Sequence, residues 1–262
     1  MKYTLLLLIL LIASKVSANQ NIMHSVYLAD KPVLYGDDEL SMIGEFGLVS
    51  ADGNTNTSTI TAKINTSQEL TSWSYQIIGD ALYKQSQQEF QGKKNNQASA
   101  QKLFLSGQFE FKLTQPDDRL FIYGEYENNR FNGFRYQAAL AAGWSSRLWH
   151  NKRSQLKYSI GPGYAISEVE ENTIDENNEG LIVRAAIEYK RKFSDNATFR
   201  QFFSTEVEQD FSKTKLETSL STKLTGTLAM KLSFAMNFDT SVRSEIEELD
   251  TETTVTLVYR FL

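Results

Sequence analysis

Apolar and polar residues alternate along most of the chain from residue 43 onward. Residues 230–238 show the alternation in its cleanest form, and the closing residues 251–261 repeat it. Because successive side chains of a β-strand point to opposite faces, a period of two predicts strands with one apolar and one polar face. The pattern therefore predicts an all-β protein.

The alternating segments number about twelve, and most of them are long. They are residues 43–49, 57–66, 73–84, 99–112, 119–128, 134–148, 154–166, 180–193, 198–210, 214–224, 229–240 and 251–261. A tilted strand needs roughly 9–11 residues to cross a bilayer, whereas strands of globular proteins are nearer 5–6 residues. The lengths favour strands that cross a membrane.

Short and long connections tend to alternate between these segments. The short ones are residues 67–72, 113–118, 149–153, 194–197 and 225–228, and the long polar ones are residues 85–98, 167–179 and 241–250. The alternation is imperfect, since 50–56, 129–133 and 211–213 are short where outer loops are expected. Outer-membrane barrels have short periplasmic turns and longer outer loops. We therefore expect residues 43–262 to form a closed antiparallel barrel of about twelve strands, with both termini in the periplasm.

The two faces of the predicted strands differ in chemistry. The apolar face includes Leu105, Leu140, Leu181 and Leu232, which we expect to face lipid near the middle of the membrane. Aromatic residues collect near the strand ends, as amphipathic rings do at bilayer interfaces. The other face is rich in charge and is predicted to line the lumen. A large soluble β-sandwich, whose strands also alternate, is the alternative interpretation.

Charged residues of the lumen face are expected to form ion pairs between strands. The expected pairs are Glu127 with Arg135, Glu208 with Lys215, and Lys157 with Glu188. The first follows from folding residues 129–133 symmetrically, so that the flanking strands face each other. Opposite charges on one face stabilise a strand pair by roughly 0.2–1 kcal/mol. Twelve strands give a lumen of intermediate width, and long charged side chains should make it narrow or occluded.

The N-terminus has the pattern of a secretory signal peptide. Lys2 supplies a positive charge, residues 5–13 are apolar, and residues 16–18 fit a small-residue cleavage site. We expect residues 1–18 to be removed on export, with a retained anchor as the alternative. Residues 19–42 alternate poorly and are expected to be a periplasmic segment, either a loose tail or a small plug.

Four segments resemble a known family. They are GEFGLVSADGNTN at 44–56, YENNRFNGFRY at 126–136, GPGY at 161–164 and TETTVTLVY at 251–259. In order and spacing they are similar to segments of the salt-induced outer membrane proteins, the domain of unknown function 481 family. The resemblance implies a location in the outer membrane, with lipid and lipopolysaccharide around the barrel, and no established activity.

The C-terminus departs from the usual pattern of such barrels. They commonly end on an aromatic residue, which resembles a signal read by the barrel assembly machinery. Here Tyr259 and Phe261 supply the aromatic rings, but Leu262 follows them. The expected assembly signal is therefore displaced by one residue.

Side chains suited to catalysis are scarce. The chain has no cysteine, which excludes thiolate metal sites and cysteine nucleophiles. Its two histidines are far apart: His24 precedes the barrel, and His150 lies in a predicted turn. A serine triad usually needs a histidine base near the nucleophile, so neither a triad nor a histidine metal site is expected.

Acidic residues are the remaining candidates for chemistry. Glu125 with Glu127, and Glu206 with Glu208, could suit acid–base work on a sugar, although a charged lumen wall is the favoured interpretation. Residues 168–179 hold six carboxylates and no basic residue. They could hold a divalent cation loosely, but a solvated loop is favoured.

The sequence thus predicts an outer-membrane barrel without catalysis or cofactor and leaves two functions open. The formal net charge is −5, and no basic patch with interleaved aromatics suggests a nucleic-acid partner. One function is a largely structural envelope protein with a narrow charged lumen, induced by salt or stress as the family name suggests. The other is a small-solute channel or substrate-binding porin-like transporter, whose solute the sequence does not identify.

Overall fold

The computed structural model describes most of the chain after residue 39. The described residues are 40–51, 57–90, 93–115, 117–129, 134–151, 153–169, 178–209, 211–242 and 247–261. Within these ranges there is no helix long and apolar enough to cross a membrane. The predicted signal peptide and nearly all of the predicted periplasmic segment lie outside the described residues.

Twelve antiparallel strands close into a barrel. They are β1 (Leu40–Ala51), β2 (Thr57–Glu69), β3 (Trp73–Phe90), β4 (Lys93–Lys112), β5 (Asp118–Asn129), β6 (Phe134–His150), β7 (Ser154–Val169), β8 (Asn178–Lys192), β9 (Ala197–Val207), β10 (Ser212–Lys223), β11 (Leu228–Asp239) and β12 (Leu249–Arg260). Each strand pairs with its neighbours in sequence, and β1 pairs with β12 to close the sheet. The predicted fold class and strand number are confirmed.

The ends of the barrel sequence meet at one rim, which we call the terminal rim. The backbone N–H of Phe261 donates to the carbonyl of Met42 at 2.9 Å, and Ile43 lies opposite Arg260. The turns after β2, β4, β6, β8 and β10 lie at this rim, and the connections after the odd-numbered strands lie at the other, the loop rim. β1 begins three residues before its predicted start, so residues 40–42 belong to the barrel.

The long polar connection predicted for residues 85–98 is wrong. β3 and β4 extend through it and pair as far as Phe90 opposite Lys93, with a bulge at Lys84 and Gln85. Gln, Asn and Lys dominate this stretch, so its apolar alternation stops although the backbone ladder continues. A strand without an apolar face gives no period-two signal, which explains the missed extension.

The outer surface of the barrel is apolar. Leu105, Leu140, Leu181 and Leu232 all lie on it, with 52%, 61%, 79% and 51% of their surface exposed. Tyr164, near the loop rim, is the register partner of both Leu140 and Leu181. Leu232 lies nearer the middle of its strand.

Aromatic rings cluster on the outer surface near both rims. Near the terminal rim, the rings of Trp73 and Phe109 stack at 6.5 Å, and those of Tyr259 and Phe261 meet edge to face at 5.0 Å. Near the loop rim, Tyr126 and Tyr136 stack at 5.9 Å. The two groups have the arrangement of interfacial belts.

The pairing of β6 with β7 is irregular in its middle. A Cβ added to Gly161 would lie 2.1 Å from the carbonyl oxygen of Ala142, and one on Gly143 would lie 2.2 Å from that of Ile160. Only glycine allows two backbones to approach so closely. Pro162, which lacks an N–H, occupies the same place, in the middle of β7.

Candidate functional site

Side chains from opposite walls of the barrel meet in the lumen. Lys213 and Lys215 of β10 lie between 3.2 and 3.4 Å from carboxylate oxygens of β5. The carboxylates are those of Glu125 and Glu127, each of which contacts both lysines. Since β6 to β9 lie between β5 and β10 around the wall, these ion pairs cross the lumen. We call the four residues the cross-lumen bridge.

Further contacts span the lumen close to the bridge. The Lys215 ammonium lies 4.4 Å from the ring centroid of Phe104, on the wall facing β10. Toward the loop rim, Gln137 of β6 donates to Asp239 of β11 at 2.9 Å. The bridge is held on one side by Tyr123, whose hydroxyl donates to Glu125 at 2.5 Å. Together these contacts join opposite walls of the barrel at and near the level of the bridge.

A second group of ion pairs crosses the lumen near the terminal rim. Glu69 of β2 accepts from Arg119 of β5 at 2.6 Å and from Arg147 of β6 at 3.2 Å. Glu110 of β4 accepts from Arg119 at 3.2 Å and pairs with Lys157 of β7. Arg119 is 1% exposed. We call these five residues the terminal cluster.

A chamber lies between the bridge and the terminal cluster. Its volume is about 250 Å³, and its lining includes Glu125 and Lys215 of the bridge and Lys157 of the cluster. Phe104 and Phe202 contribute aromatic rings to the lining, which also carries serines and charges of both signs. Such a mixed polar and aromatic wall is typical of sites for small polar molecules.

A smaller cavity of about 50 Å³ lies on the loop side of the bridge. Glu206, Glu208, Asp239 and Lys213 belong to its lining. Arg184 lies 3.6 Å from the Glu206 carboxylate. In the described part of the chain, no group of carboxylates and histidines is arranged to hold a metal ion.

The predicted pair of Glu127 with Arg135 is corrected by the structure. The register sets Glu127 opposite Gln137. It shifts between Glu127 and Asn129 in the pairing of β5 with β6, and between Phe134 and Tyr136 in the pairing of β6 with β7. These shifts mark a bulge at the start of β6. A bulge adds one residue and reverses which face the next side chain takes. The Arg135 side chain is 70% exposed and pairs with Glu168 at 2.9 Å.

The predicted pair of Glu208 with Lys215 is also corrected. The register of β9 and β10 sets Lys215 opposite Ser204, and its ammonium reaches across the lumen to the bridge instead. Simple folding about the connection placed the two strands in the wrong register. Lys157 does lie opposite Glu188, although its ammonium pairs with Glu110.

The cross-lumen bridge was missed because its partners are far apart in sequence. Hairpin symmetry pairs only consecutive strands, whereas the bridge joins β5 to β10. One signal was present: Glu125 and Glu127 are two residues apart on one face, and so are Lys213 and Lys215. Two such matched doublets of opposite charge were a pattern from which the pairing could have been proposed.

The other chemical candidates divide between described and undescribed parts. Both members of the Glu125 and Glu127 pair are engaged by lysines of the bridge. His150 ends β6, while His24 and most of the acidic segment 168–179 lie outside the described residues. Tyr259 and Phe261, the expected assembly signal, lie side by side on the outer surface at the terminal rim.

Comparisons with known proteins give a family. The family model described as "Protein of unknown function, DUF481" matches residues 44–261. "Uncharacterized protein YdiY" of Escherichia coli (strain K12) is 25% identical over 216 residues, covering 81% of this chain and 80% of that protein.

Among solved structures, the chain is similar to the NanC porin at 10% identity and a TM-score of 0.48, covering 86% of this chain and 100% of that one. It is similar to the translocator domain of autotransporter NalP from Neisseria meningitidis at 8% identity and a TM-score of 0.44, covering 85% and 87%. Similarity at this level carries no argument about function, which must come from the lumen itself.

Proposed function

We propose, for a chain that belongs to the DUF481 family of proteins of unknown function, a non-enzymatic role as an outer-membrane barrel whose lumen is closed to free diffusion at rest. The cross-lumen bridge carries the proposal. Lys213 and Lys215 meet Glu125 and Glu127 from the facing wall at 3.2 to 3.4 Å, which leaves no width for a general pore at that level.

The outer surface supports insertion into a bilayer. A closed sheet satisfies its backbone groups without water, which a membrane requires. Exposed leucines on the outer surface and aromatic rings near both rims match a lipid-facing band between two interfaces. The proposal places the terminal rim, with its short turns, in the periplasm, after export through a cleaved signal peptide at residues 1–18 and insertion by the barrel assembly machinery.

The lumen charges favour a structural role over catalysis. Glu125 and Glu127 are each neutralised by lysines at fixed distances, whereas a general acid and base need carboxylates in different protonation states. A role in the response to salt or osmotic stress is part of the proposal and rests on the family resemblance. Protein levels in cells grown at low and high salt test that part directly.

The chamber supports a second candidate function, a small-solute channel or a substrate-binding, porin-like transporter. A cavity of about 250 Å³ inside the lumen has room for a small polar molecule. Passage would require the bridge to separate. The two functions therefore differ in whether the bridge opens.

Conductance of the refolded protein in a planar bilayer tests the proposal. We expect a conductance well below that of a general porin under the same conditions, because the bridge obstructs the path. A wide and steadily open pore in the unmutated protein would contradict the closed lumen. It would also place the solute channel first.

A further inference from the structure

The seam between β1 and β12 is hydrogen-bonded over only part of its length. The register runs from Ile43 opposite Arg260 to Phe46 opposite Leu257. Both strands continue toward the loop rim, β1 to Ala51 against β2 and β12 back to Leu249 against β11. In the part of the chain that the structure describes, residues 47–51 and 249–256 each pair with one neighbouring strand rather than two.

This seam differs from the strand ends that extend past a shorter neighbour. β4 and β8 also extend past β5 and β9, but there the shorter strand has ended. At the seam both strands are present, but the described register pairs stop at Phe46 opposite Leu257. A Cβ on Gly47 would lie 3.2 Å from the Val255 carbonyl oxygen and 3.0 Å from a Thr256 methyl, so the two strands still lie close together one residue beyond the last pair.

The outside of the open part of the seam is apolar. Leu48 and Val255 flank it with 61% and 50% of their surface exposed. Unpaired backbone groups in contact with lipid are costly, because hydrocarbon offers them no hydrogen bond. The unpaired part of the seam therefore favours an occupant whose polar atoms reach these backbone groups and whose apolar part faces the lipid.

The inside of the seam is the chamber wall. Glu252, Thr254 and Thr256 of β12 line the chamber, and so does Thr61 of β2. The hydroxyls of Thr61 and Thr256 are buried without a hydrogen-bond partner. Polar groups in this state are destabilising unless something else satisfies them.

Arg184 adds one unsatisfied N–H donor to the same chamber, although its Nε lies 3.6 Å from the Glu206 carboxylate. It is 5% exposed, its guanidinium lies 3.7 Å from the ring centroid of Tyr123, and its Nη1 has no hydrogen-bond partner. A guanidinium nitrogen held against a ring is well placed to donate to a phosphate or carboxylate oxygen. The chamber therefore offers a seat for a head group bearing such an oxygen.

We propose that the chamber opens sideways into the membrane through the β1–β12 seam and binds the head group of a single-chain amphiphile. The head, anionic or zwitterionic, lies against Arg184, Thr61 and Thr256. Its polar linker passes between the strands, and the apolar chain lies outside, past Leu48 and Val255. The inference rests on the proposed function, in which the bridge closes the lumen on the loop side of the chamber, while ion pairs of the terminal cluster cross the lumen on the other side.

A disulfide that closes the β1–β12 seam tests the lateral route. Leu48→Cys with Val255→Cys places thiols on facing outer positions if the register of the seam is continued, and the chain has no cysteine of its own. The reporter is Phe104→Trp in the chamber, on a background in which Trp73, Trp144 and Trp149 are replaced by Phe. Phe202→Trp serves as a second reporter if the first variant does not fold.

The probe is a brominated lysophosphatidylcholine added to protein in vesicles. We expect it to quench the chamber tryptophan in the reduced protein. Oxidation of the seam thiols should reduce quenching to the background caused by brominated lipid that stays outside the barrel wall. Addition of a reductant should restore the quenching. Acrylamide, a water-soluble quencher, should act equally on both forms.

The control pair is Leu220→Cys with Leu232→Cys, which are outward register partners across the fully paired β10 and β11. Its oxidation should leave quenching unchanged. Equal quenching in the locked and unlocked seam, or none above the wall level in either, would overturn the lateral route. Conductance of the same variants distinguishes the two proposals. A large open pore would overturn the closed lumen. Low conductance without quenching that depends on the seam would overturn this inference alone.

Discussion

The guanidinium of Arg119 holds the carboxylate of Glu69 with two hydrogen bonds, at 2.6 and 3.2 Å. These hydrogen bonds join β5 to the end of β2, and β3 and β4 lie between the two strands around the wall. Arg119 also donates to Glu110 at 3.2 Å. Because Arg119 is almost completely buried, carboxylates rather than water balance its charge.

Replacing Arg119 should therefore destabilise the barrel. Arg119→Ala leaves the buried carboxylate of Glu110 and the half-buried carboxylate of Glu69 short of a partner, and breaking a buried ion pair from one side costs about 3–5 kcal/mol. Lys112 and Arg147 still neutralise Glu69, so we expect the lower end of that range. Arg119→Lys should lose less, since it keeps the charge and loses the two-pronged geometry. Urea unfolding in vesicles measures the difference.

The control for Arg119 is Arg135, whose ion pair with Glu168 is exposed. Arg135→Ala should change the free energy of unfolding by less than about 1 kcal/mol, as exposed pairs do. Equal losses at Arg119 and Arg135 would show that the terminal cluster does not stabilise the fold.

Removing the cross-lumen bridge should raise conductance. Changing Glu125, Glu127, Lys213 and Lys215 together to Ser removes bulk and two charges of each sign, so none of the four is left as an unpaired charge. Lys102 and the Tyr123 hydroxyl lose their contacts with the glutamates, which costs some stability. We expect a several-fold higher conductance in a planar bilayer. Changing the two glutamates to Lys and the two lysines to Glu should restore the closed state, because the exchanged charges can pair again.

The exposed pair again supplies the control for the bridge. Arg135→Ser with Glu168→Ser removes an ion pair from the outer surface and should leave conductance unchanged. If the bridge variant conducts no better than the unmutated protein, the bridge does not close the path.

Adjacent residues of β11 should respond differently to arginine. Leu232→Arg puts a charge on the lipid-facing side at mid-strand and should cost about 2–4 kcal/mol, whereas the cost falls to about 0–1 kcal/mol near the interfaces. Ser233→Arg enters the charged lumen and should cost less than Leu232→Arg. Leu181→Arg, beside Tyr164 near the loop rim, should also cost less. Equal losses at Leu232 and Ser233 on refolding into vesicles would mean that the two faces are misassigned.

The stability cost of replacing a barrel glycine by alanine should depend on the space around that glycine. Gly161→Ala would place a methyl 2.1 Å from a backbone oxygen of β6, which can move only if the two strands separate. Overpacking typically costs about 1–3 kcal/mol, and we expect the upper end. Gly107→Ala meets nothing within 4 Å and should be nearly neutral. Urea unfolding distinguishes them, and a neutral Gly161→Ala would contradict the close approach of β6 and β7.

The alternation of apolar and polar residues by itself determined the class of the fold, the number of strands and which leucines lie outside. These properties are local, since a strand's two faces follow from its own residues and a closed sheet of such strands has one apolar surface. The same local rule explains the miss at residues 85–98. There the strands continue without an apolar face, so nothing in the pattern marked them as strands.

Only the tertiary structure decided what the lumen side chains contact. A single bulge turns Arg135 outward, and the register of β9 and β10 moves Lys215 away from Glu208; neither is encoded in the alternation. The meeting of Lys213 with Glu127 depends on closure of the barrel and on the stagger of all strands between β5 and β10. Those quantities are set by the whole sheet, so the sequence of any one hairpin could not specify the bridge, the chamber or the partial seam.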